Sequence, residues 1–242
     1  MSHAPSRLVL PRGLIFMASI WLIGSWMIAI GLRAPVQPSS ATYTPNVRLM
    51  VQCVVIGLMI GWPLLRLSQS RPALPIRQSI LDLMVLVGLV QVVLWPLRLV
   101  TSWTPLRTAA IDATLSGWVI LAGAVVTAAL VTDRRGPRNL AMFACVSMVL
   151  LGPTVAWLGV LTGVNTMELI ELSPLMAVRT LGEGGGAQPT PMQWKLIGVL
   201  GAADLAAWLA LALTMLLLRS RLEEPTSDDA ETDLPAHDAA QS

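Results

Sequence analysis

The residues of this chain that could take part in chemistry are mostly carboxylates set inside long apolar runs. Asp204 lies ten residues after Trp194, in the stretch "GVLGAADLAAWLA", which corresponds to roughly 15 Å along a helix. Its carboxylate is therefore expected near the middle of a membrane span, where a charge costs roughly 2.5–3.5 kcal/mol. We interpret Asp204 as a point on a substrate or ion path, or as a packing residue that hydrogen-bonds to a neighbouring helix. Gln91, near the middle of another apolar run, is the candidate partner on that path.

Two further carboxylates have a structural interpretation. The residues from Ser79 to Asp82 fit a capping pattern at the start of a helix, and a carboxylate is favourable near a helix N-terminus. Asp112 lies four residues past Thr108, near the start of another apolar run. We therefore expect both carboxylates to stabilise helix starts.

Several classes of site are disfavoured by the residues that the spans lack. The two histidines, His3 and His237, lie in polar ends of the chain, so a histidine-based haem or metal centre within the spans is excluded. The same absence excludes an intramembrane Ser–His hydrolase. Cys53 and Cys145 fall in apolar runs and are expected to be packing residues. Since no nucleotide-binding motif occurs either, we expect no cofactor and no enzyme activity, and a membrane enzyme acting on lipid is the weakest alternative.

The elements that must position these residues are membrane spans. Of the 242 residues, 55% are hydrophobic and 12% are charged, whereas a soluble domain carries about a quarter charged residues. Long apolar runs without period-two alternation predict an all-α, polytopic membrane protein rather than a barrel. We predict six transmembrane helices, at about 13–32, 47–66, 79–101, 108–132, 139–162 and 194–218. The first run could also serve as a signal peptide, but its length and the spans that follow favour an uncleaved span.

The basic residues predict an orientation for the six-helix domain, which we place at residues 13–221. Ten Lys and Arg residues collect on one side of the membrane and six on the other, so both termini are expected in the cytoplasm and the chain in the inner (cytoplasmic) membrane of the cell. Residues 1–12 form the cytoplasmic N-terminus. Residues 222–242 hold seven of the fourteen acidic residues and are expected to be a disordered, acidic cytoplasmic tail.

The stretch "ELSPLMAVRTLGEGGGAQPTP", residues 171–191, separates spans five and six and is expected outside the cell. Ser173 before Pro174 is typical of a helix start, with Ser173 as the cap and Pro174 at the first helical position. Gly182 is expected to end this helix. We predict a short external or re-entrant helix followed by a flexible link. Its apolar side chains are expected to lie against the membrane surface; they are Leu175, Met176, Val178 and Leu181.

The last third of the chain resembles the C-terminal part of ABC-2-type transporter permeases. The segments that carry the resemblance are "LLGPTVAWLGVL", "ELSPLMAVRTLGEGGG" and "WKLIGVLGAADLAAWLALALTMLLLRSRL". In that family a Ser/Asn-Pro-x-x-Ala segment and a Gly/Pro linker precede a last span that ends in basic residues. The matching positions are Ser173, Pro174, Ala177, the run 182–186, Arg219 and Arg221. The resemblance covers mainly residues 150–221, and the earlier residues agree in span count and direction.

The resemblance implies a permease-like subunit that forms a homo- or heterodimer in the lipid bilayer and works with a separate ABC ATPase. Substrate would pass between two membrane halves, and no nucleic acid is expected to bind. The predicted cytoplasmic loop at residues 68–78 would contact the ATPase through Arg71 and Arg77; alternatively, these arginines only obey the orientation rule. The alternative function is a non-transporting membrane scaffold or assembly subunit of a larger complex, in which Asp204 serves helix packing.

Overall fold

The computed structural model describes residues 11–33, 39–132, 135–163 and 171–223, with the backbone alone at 33, 135 and 218–223. The residues predicted as the cytoplasmic N-terminus, up to residue 10, and the acidic tail from residue 224 lie outside the described residues. The described residues form helices joined by turns and loops and contain no strand. Its helices are α1 (Arg12–Ala29), α2 (Ser40–Ile56), α3 (Trp62–Ser68), α4 (Pro75–Leu97), α5 (Pro105–Val131), α6 (Arg135–Thr162), α7 (Pro174–Glu183) and α8 (Pro191–Glu223).

Six helices are long and apolar enough to cross a membrane, which confirms the all-α, six-span fold. The second span, Ser40–Ser68, joins α2 and α3 through a π-helical turn at Gly57–Gly61. The sequence did not predict this turn. It brings Gly57 against the Trp21 ring of α1, and the Trp21 Nε1–H donates to the Cys53 carbonyl oxygen at 2.9 Å. One indole thereby fastens the first span to the second.

Helix α5 is the centre of the bundle. In its most apolar stretch of 18 residues, 61% of the residues are buried, and the helix packs against α4, α6, α7 and α8. Two glycines let its neighbours approach closely. A Cβ atom built on Gly117 would lie 2.7 Å from the Leu200 side chain of α8, and one built on Gly123 would lie 2.6 Å from the Leu83 side chain of α4. Neither position has room for a larger residue, so these contacts fix where α8 and α4 lie on α5.

Helix α7 lies inside the bundle at the end where α5 begins, and we refer to this end as the α7 end. It packs against α2, α5 and α6. The apolar side of α7 was predicted to lie against the membrane surface. Instead, Val178 and Leu181 are buried in the hydrophobic core and Leu175 packs against it. The prediction of a short helix was right, but Glu183 rather than Gly182 is its last residue.

At the opposite end, the predicted helix-start role of Asp82 is wrong. Helix α4 begins at Pro75, so Ser79 and Asp82 lie inside it. The buried Asp82 carboxylate accepts a hydrogen bond from Gln78 Nε2 at 3.0 Å, and its Oδ2 lies 3.1 Å from Arg66 Nε of α3. The geometry with Arg66 is that of a close ion pair rather than a well-aligned hydrogen bond. The pair joins the two helices that flank the loop at residues 69–74.

The Asp82→Ala variant should be less stable by roughly 3 kcal/mol, because breaking a buried ion pair leaves the remaining charge uncompensated. The measurement is the apparent Tm in detergent, and Arg77→Ala, an exposed position on the same helix, is the matched control. The double variant Arg66→Leu/Asp82→Leu should recover most of the loss, since it removes both charges. A double variant as unstable as Asp82→Ala would contradict this account.

Candidate functional site

A cleft of about 190 Å³ opens between α5, α7 and α8 at the α7 end of the bundle. Its walls are mainly apolar, and it is where α7 meets the last span. Helix α5 contributes Thr114 and Trp118, and α8 contributes Leu196, Leu200 and Ala203 among others. The remaining wall comes from α7 and the two residues just before its cap, and comprises Glu171, Leu172, Ala177, Thr180 and Leu181. Ala177, predicted from the resemblance, thus lines this cleft.

Asp204 lies beside this cleft, one helical turn beyond Leu200, in the contact between α8 and α5. The residue is 8% exposed, and its Oδ1 atom is buried without a hydrogen-bond partner among the described residues. Its Oδ2 atom lies 3.4 Å from the position that a Cβ on Gly117 would occupy. One turn further along α8, the Trp208 Nε1–H donates to the Ile120 carbonyl oxygen at 3.2 Å. Asp204 therefore lies in the α5–α8 contact, and no ion pair joins its carboxylate to the described residues.

Gln91 does not meet Asp204 but is bonded to Asp112, so the predicted pairing with Asp204 is not found. The Gln91 Nε2–H donates to Asp112 Oδ1 at 3.1 Å, and the Trp95 Nε1–H lies 3.3 Å from Oδ2. Ser116 Oγ lies 3.4 Å from Oδ1. Asp112 was predicted to stabilise the start of its helix, but α5 begins at Pro105. Its carboxylate instead links α5 to α4.

One buried guanidinium binds a carbonyl oxygen in the last turn of α7 and two in the segment after it. Arg107 of α5, only 3% exposed, donates from Nη1 to the Leu181 carbonyl at 2.5 Å and from Nε to the Ala187 carbonyl at 2.7 Å. Its Nη2 donates to the Gln188 carbonyl at 3.1 Å. The Trp103 Nε1–H donates to the Gly182 carbonyl at 3.1 Å. The bonds to Leu181 and Gly182 satisfy carbonyls that are otherwise unpaired at a helix end, and those to Ala187 and Gln188 hold the segment that follows.

The glycines at 184–186 follow α7, and the first of them leaves room for the Arg107 guanidinium. A Cβ on Gly184 would overlap the Arg107 side chain, so only glycine fits there. Gly185 has a φ of +52°, a conformation that glycine adopts without strain. The run is therefore a turn, as expected for residues that follow no strand and open no helix, and it is closely packed rather than slack.

The start of α7 is held by Ser173 in a way that the sequence did not indicate. Ser173 occupies the cap position and Pro174 is the first helical residue, which confirms the predicted helix start. However, the Ser173 hydroxyl makes no capping bond and donates to the Val149 carbonyl of α6 at 3.1 Å. At the other end of α7, Glu183 lies 3.5 Å from Arg48 of α2 and 3.0 Å from Arg179. Both ends of α7 are thus tied to neighbouring structure.

Arg71 and Arg77 lie at the end of the bundle opposite to α7. Arg71 is in the segment between α3 and α4, Arg77 is in the first turn of α4, and both side chains are exposed. They do not approach the cleft or Asp204. The residues predicted as site candidates therefore divide into two separate regions of the molecule.

The sequence did not single out three residues that define the α7 end. In the sequence, Arg107 is one of the basic residues that predict the orientation, and neither Trp118 nor Glu171 belongs to a pattern that predicts a cleft. A signal for Arg107 was present, because an arginine two residues inside the start of a central span needs acceptors close at hand. No comparable signal existed for the cleft, which depends on how three helices meet.

Comparison of the chain with protein-family models, with curated proteins and with solved structures finds no match. Within the described residues, no group of three or more His, Cys, Asp or Glu side chains is placed to hold a metal ion. The features of the described residues that bear on function are therefore the cleft, the buried carboxylate of Asp204 and the anchored helix α7.

The Arg107→Met variant should loosen α7 and lower the stability of the protein by roughly 3 kcal/mol, because hydrogen bonds to charged groups contribute about 1.5–3 kcal/mol each. Arg107→Lys should lose less, since an ammonium keeps the charge but cannot span three carbonyls. Hydrogen–deuterium exchange should become faster in residues 181–190 in both variants. Arg98→Met, at a half-buried arginine of the same end, is the control; equal effects of Arg98→Met and Arg107→Met would contradict the anchoring role.

Proposed function

We propose that the chain is a permease-like membrane subunit of a transport system that is driven by a separate ABC ATPase. The observation that carries this proposal is Asp204, a carboxylate inside the last span that is buried, has one oxygen without a partner, and borders a cleft. Charges within spans are expensive and usually mark substrate or ion paths. A carboxylate needed only for packing would be expected to meet a donor, as Asp112 does.

In this proposal the α7 end faces the outside of the cell and both termini are cytoplasmic, as the distribution of basic residues predicts. The cleft would then be the outward part of the path, and α7, fixed by Arg107, would form one of its walls. Arg71 and Arg77 would lie on the cytoplasmic side, where an ATPase could reach them. Two copies, or this chain and a similar one, would form the complete transport unit.

One observation favours the second candidate function, a scaffold or assembly subunit. In the most apolar stretch of 18 residues of α8, only 6% of the residues are buried. Most of the surface of the last span is therefore free to contact another subunit. In that case Asp204 would contribute nothing beyond its place in the α5–α8 contact. The two functions therefore predict different consequences of removing its charge.

The Asp204→Leu variant should be as stable as the original protein or more stable by about 1 kcal/mol, because the substitution removes a buried polar group that lacks a partner. It should nevertheless fail to complement a strain that lacks the gene. Asp112→Leu is the contrasting variant and should lower the apparent Tm, since it breaks the bonds to Gln91 and Trp95. Full complementation by Asp204→Leu at normal expression would rule out a role on a substrate path and favour the scaffold.

The proposed coupling predicts that the protein, purified from its native membranes with an affinity tag, carries associated ATP hydrolysis. The double variant Arg71→Glu/Arg77→Glu should lose most of this activity, because it reverses the charge at the proposed contact. The matched control is Arg98→Glu at the α7 end, which should retain it. Hydrolysis that is absent from the original preparation, or equal in all three, would refute the ATPase coupling.

A further inference from the structure

We propose that the cleft between α5, α7 and α8 binds an organic monocation with an apolar body, of the quaternary ammonium class. The inference rests on the proposed function, because it names the substrate class of the site that was assigned there to the transport path. Its basis is the kind of charge, aromatic surface and hydrogen-bonding capacity that surround the cleft.

The charges around the cleft favour a cation. Glu171 is the charged side chain in the lining, and no hydrogen bond or ion pair joins its carboxylate to the described residues. Asp204 adds a second carboxylate behind Leu200, and its Oδ1 atom has no partner there either. The nearby guanidinium of Arg107 lies behind Leu181 and is engaged by three backbone carbonyls. Within the lining itself, the carboxylate of Glu171 is therefore the charge that a ligand meets, and a monocation would balance it.

Apart from Glu171, the polar side chains of the wall already make hydrogen bonds within the protein, so a ligand that needs many hydrogen bonds would find few partners. The Thr114 hydroxyl donates to the Ala110 carbonyl at 2.8 Å, and the Thr180 hydroxyl donates to the Ala177 carbonyl at 3.0 Å. Gln193 Oε1 accepts from the Thr190 N–H at 3.0 Å. A sugar or a phosphate would therefore leave most of its hydrogen-bonding groups without partners, whereas a quaternary ammonium has no N–H group to satisfy.

Trp118 supplies the surface that such a cation prefers. Its ring lines the cleft among Leu196, Ile197 and Leu200, and the face of a tryptophan attracts quaternary ammonium groups through the cation–π interaction. The groove between α1 and α4, which includes Trp21 and Trp62, offers a contrast. It is larger, at about 350 Å³, but no charged residue lines it. The combination of a tryptophan and a carboxylate in one lining is a property of the α5–α7–α8 cleft.

The test is calorimetric titration of the purified full-length protein in a neutral maltoside detergent with choline, and separately with its uncharged isostere 3,3-dimethyl-1-butanol. Choline should bind saturably, and the isostere should bind at least tenfold more weakly, because it lacks the charge. Trp118→Leu and Glu171→Gln should each weaken choline binding about three- to tenfold. Two controls should leave it unchanged: Trp157→Leu, an exposed tryptophan of α6 outside the lining, and Arg77→Gln, an exposed charge at the opposite end of the bundle.

Equal binding of choline and its isostere, absence of saturable choline binding, or equal weakening by the control variants would each overturn the inference. The titration involves neither an ATPase nor transport, so its outcome is separate from the test of the proposed function. If choline binds as expected while Asp204→Leu complements fully, the cation site stands and the transport path falls. If choline does not bind but Asp204→Leu fails to complement, only the substrate class is wrong.

Discussion

A chain that turns back inside a membrane bundle exposes backbone carbonyls that no helix satisfies, and lipid offers them no partner. In this protein Arg107 supplies three of the missing donors, to Leu181, Ala187 and Gln188. The arginine is itself costly to bury, and the same three carbonyls provide its acceptors. The guanidinium thus offsets the cost of burying the carbonyls, and the carbonyls offset the cost of burying the guanidinium. The position of α7, and with it one wall of the cleft, depends on this single guanidinium and on the glycines that make room for it.

The membrane spans could be predicted from hydropathy because the length of a span is set by the bilayer and its composition by lipid. Their starts were less predictable. Helices α4 and α5 begin at Pro75 and Pro105. The predicted spans begin only at about 79 and 108, because polar residues that follow each proline interrupt the apolar run. This shift moves Asp82 and Asp112 from the helix ends into the helices, where each is bound by a neighbouring helix. A local capping pattern did not reveal that, since the partners Arg66 and Gln91 come from other helices.

The candidate site was predictable only in part, for a related reason. Asp204 stood out because a charge in an apolar run is conspicuous whatever surrounds it. The cleft beside it depends on how α5, α7 and α8 meet. Gly117 of α5 leaves room for Leu200 of α8, and Ser173 at the start of α7 is bonded to α6. These are properties of contacts between helices that are far apart in the sequence. The π-helical turn at Gly57–Gly61 also depends on a contact between spans, since Trp21 of the first span packs against it and stabilises it.

The contrast between the two carboxylates of α5 and α8 bears on how the molecule could work. Asp112 is tied to α4 by side-chain donors, and so it contributes to a fixed contact. Asp204 lies against the glycine that lets α8 approach α5, and its unpaired oxygen makes that contact less stable than an apolar one would be. A contact between helices that carries such a cost is easier to rearrange than the rest of the core. Since the same two helices form two of the walls of the cleft, any ligand that compensates the charge of Asp204 would also change how firmly the last span is held.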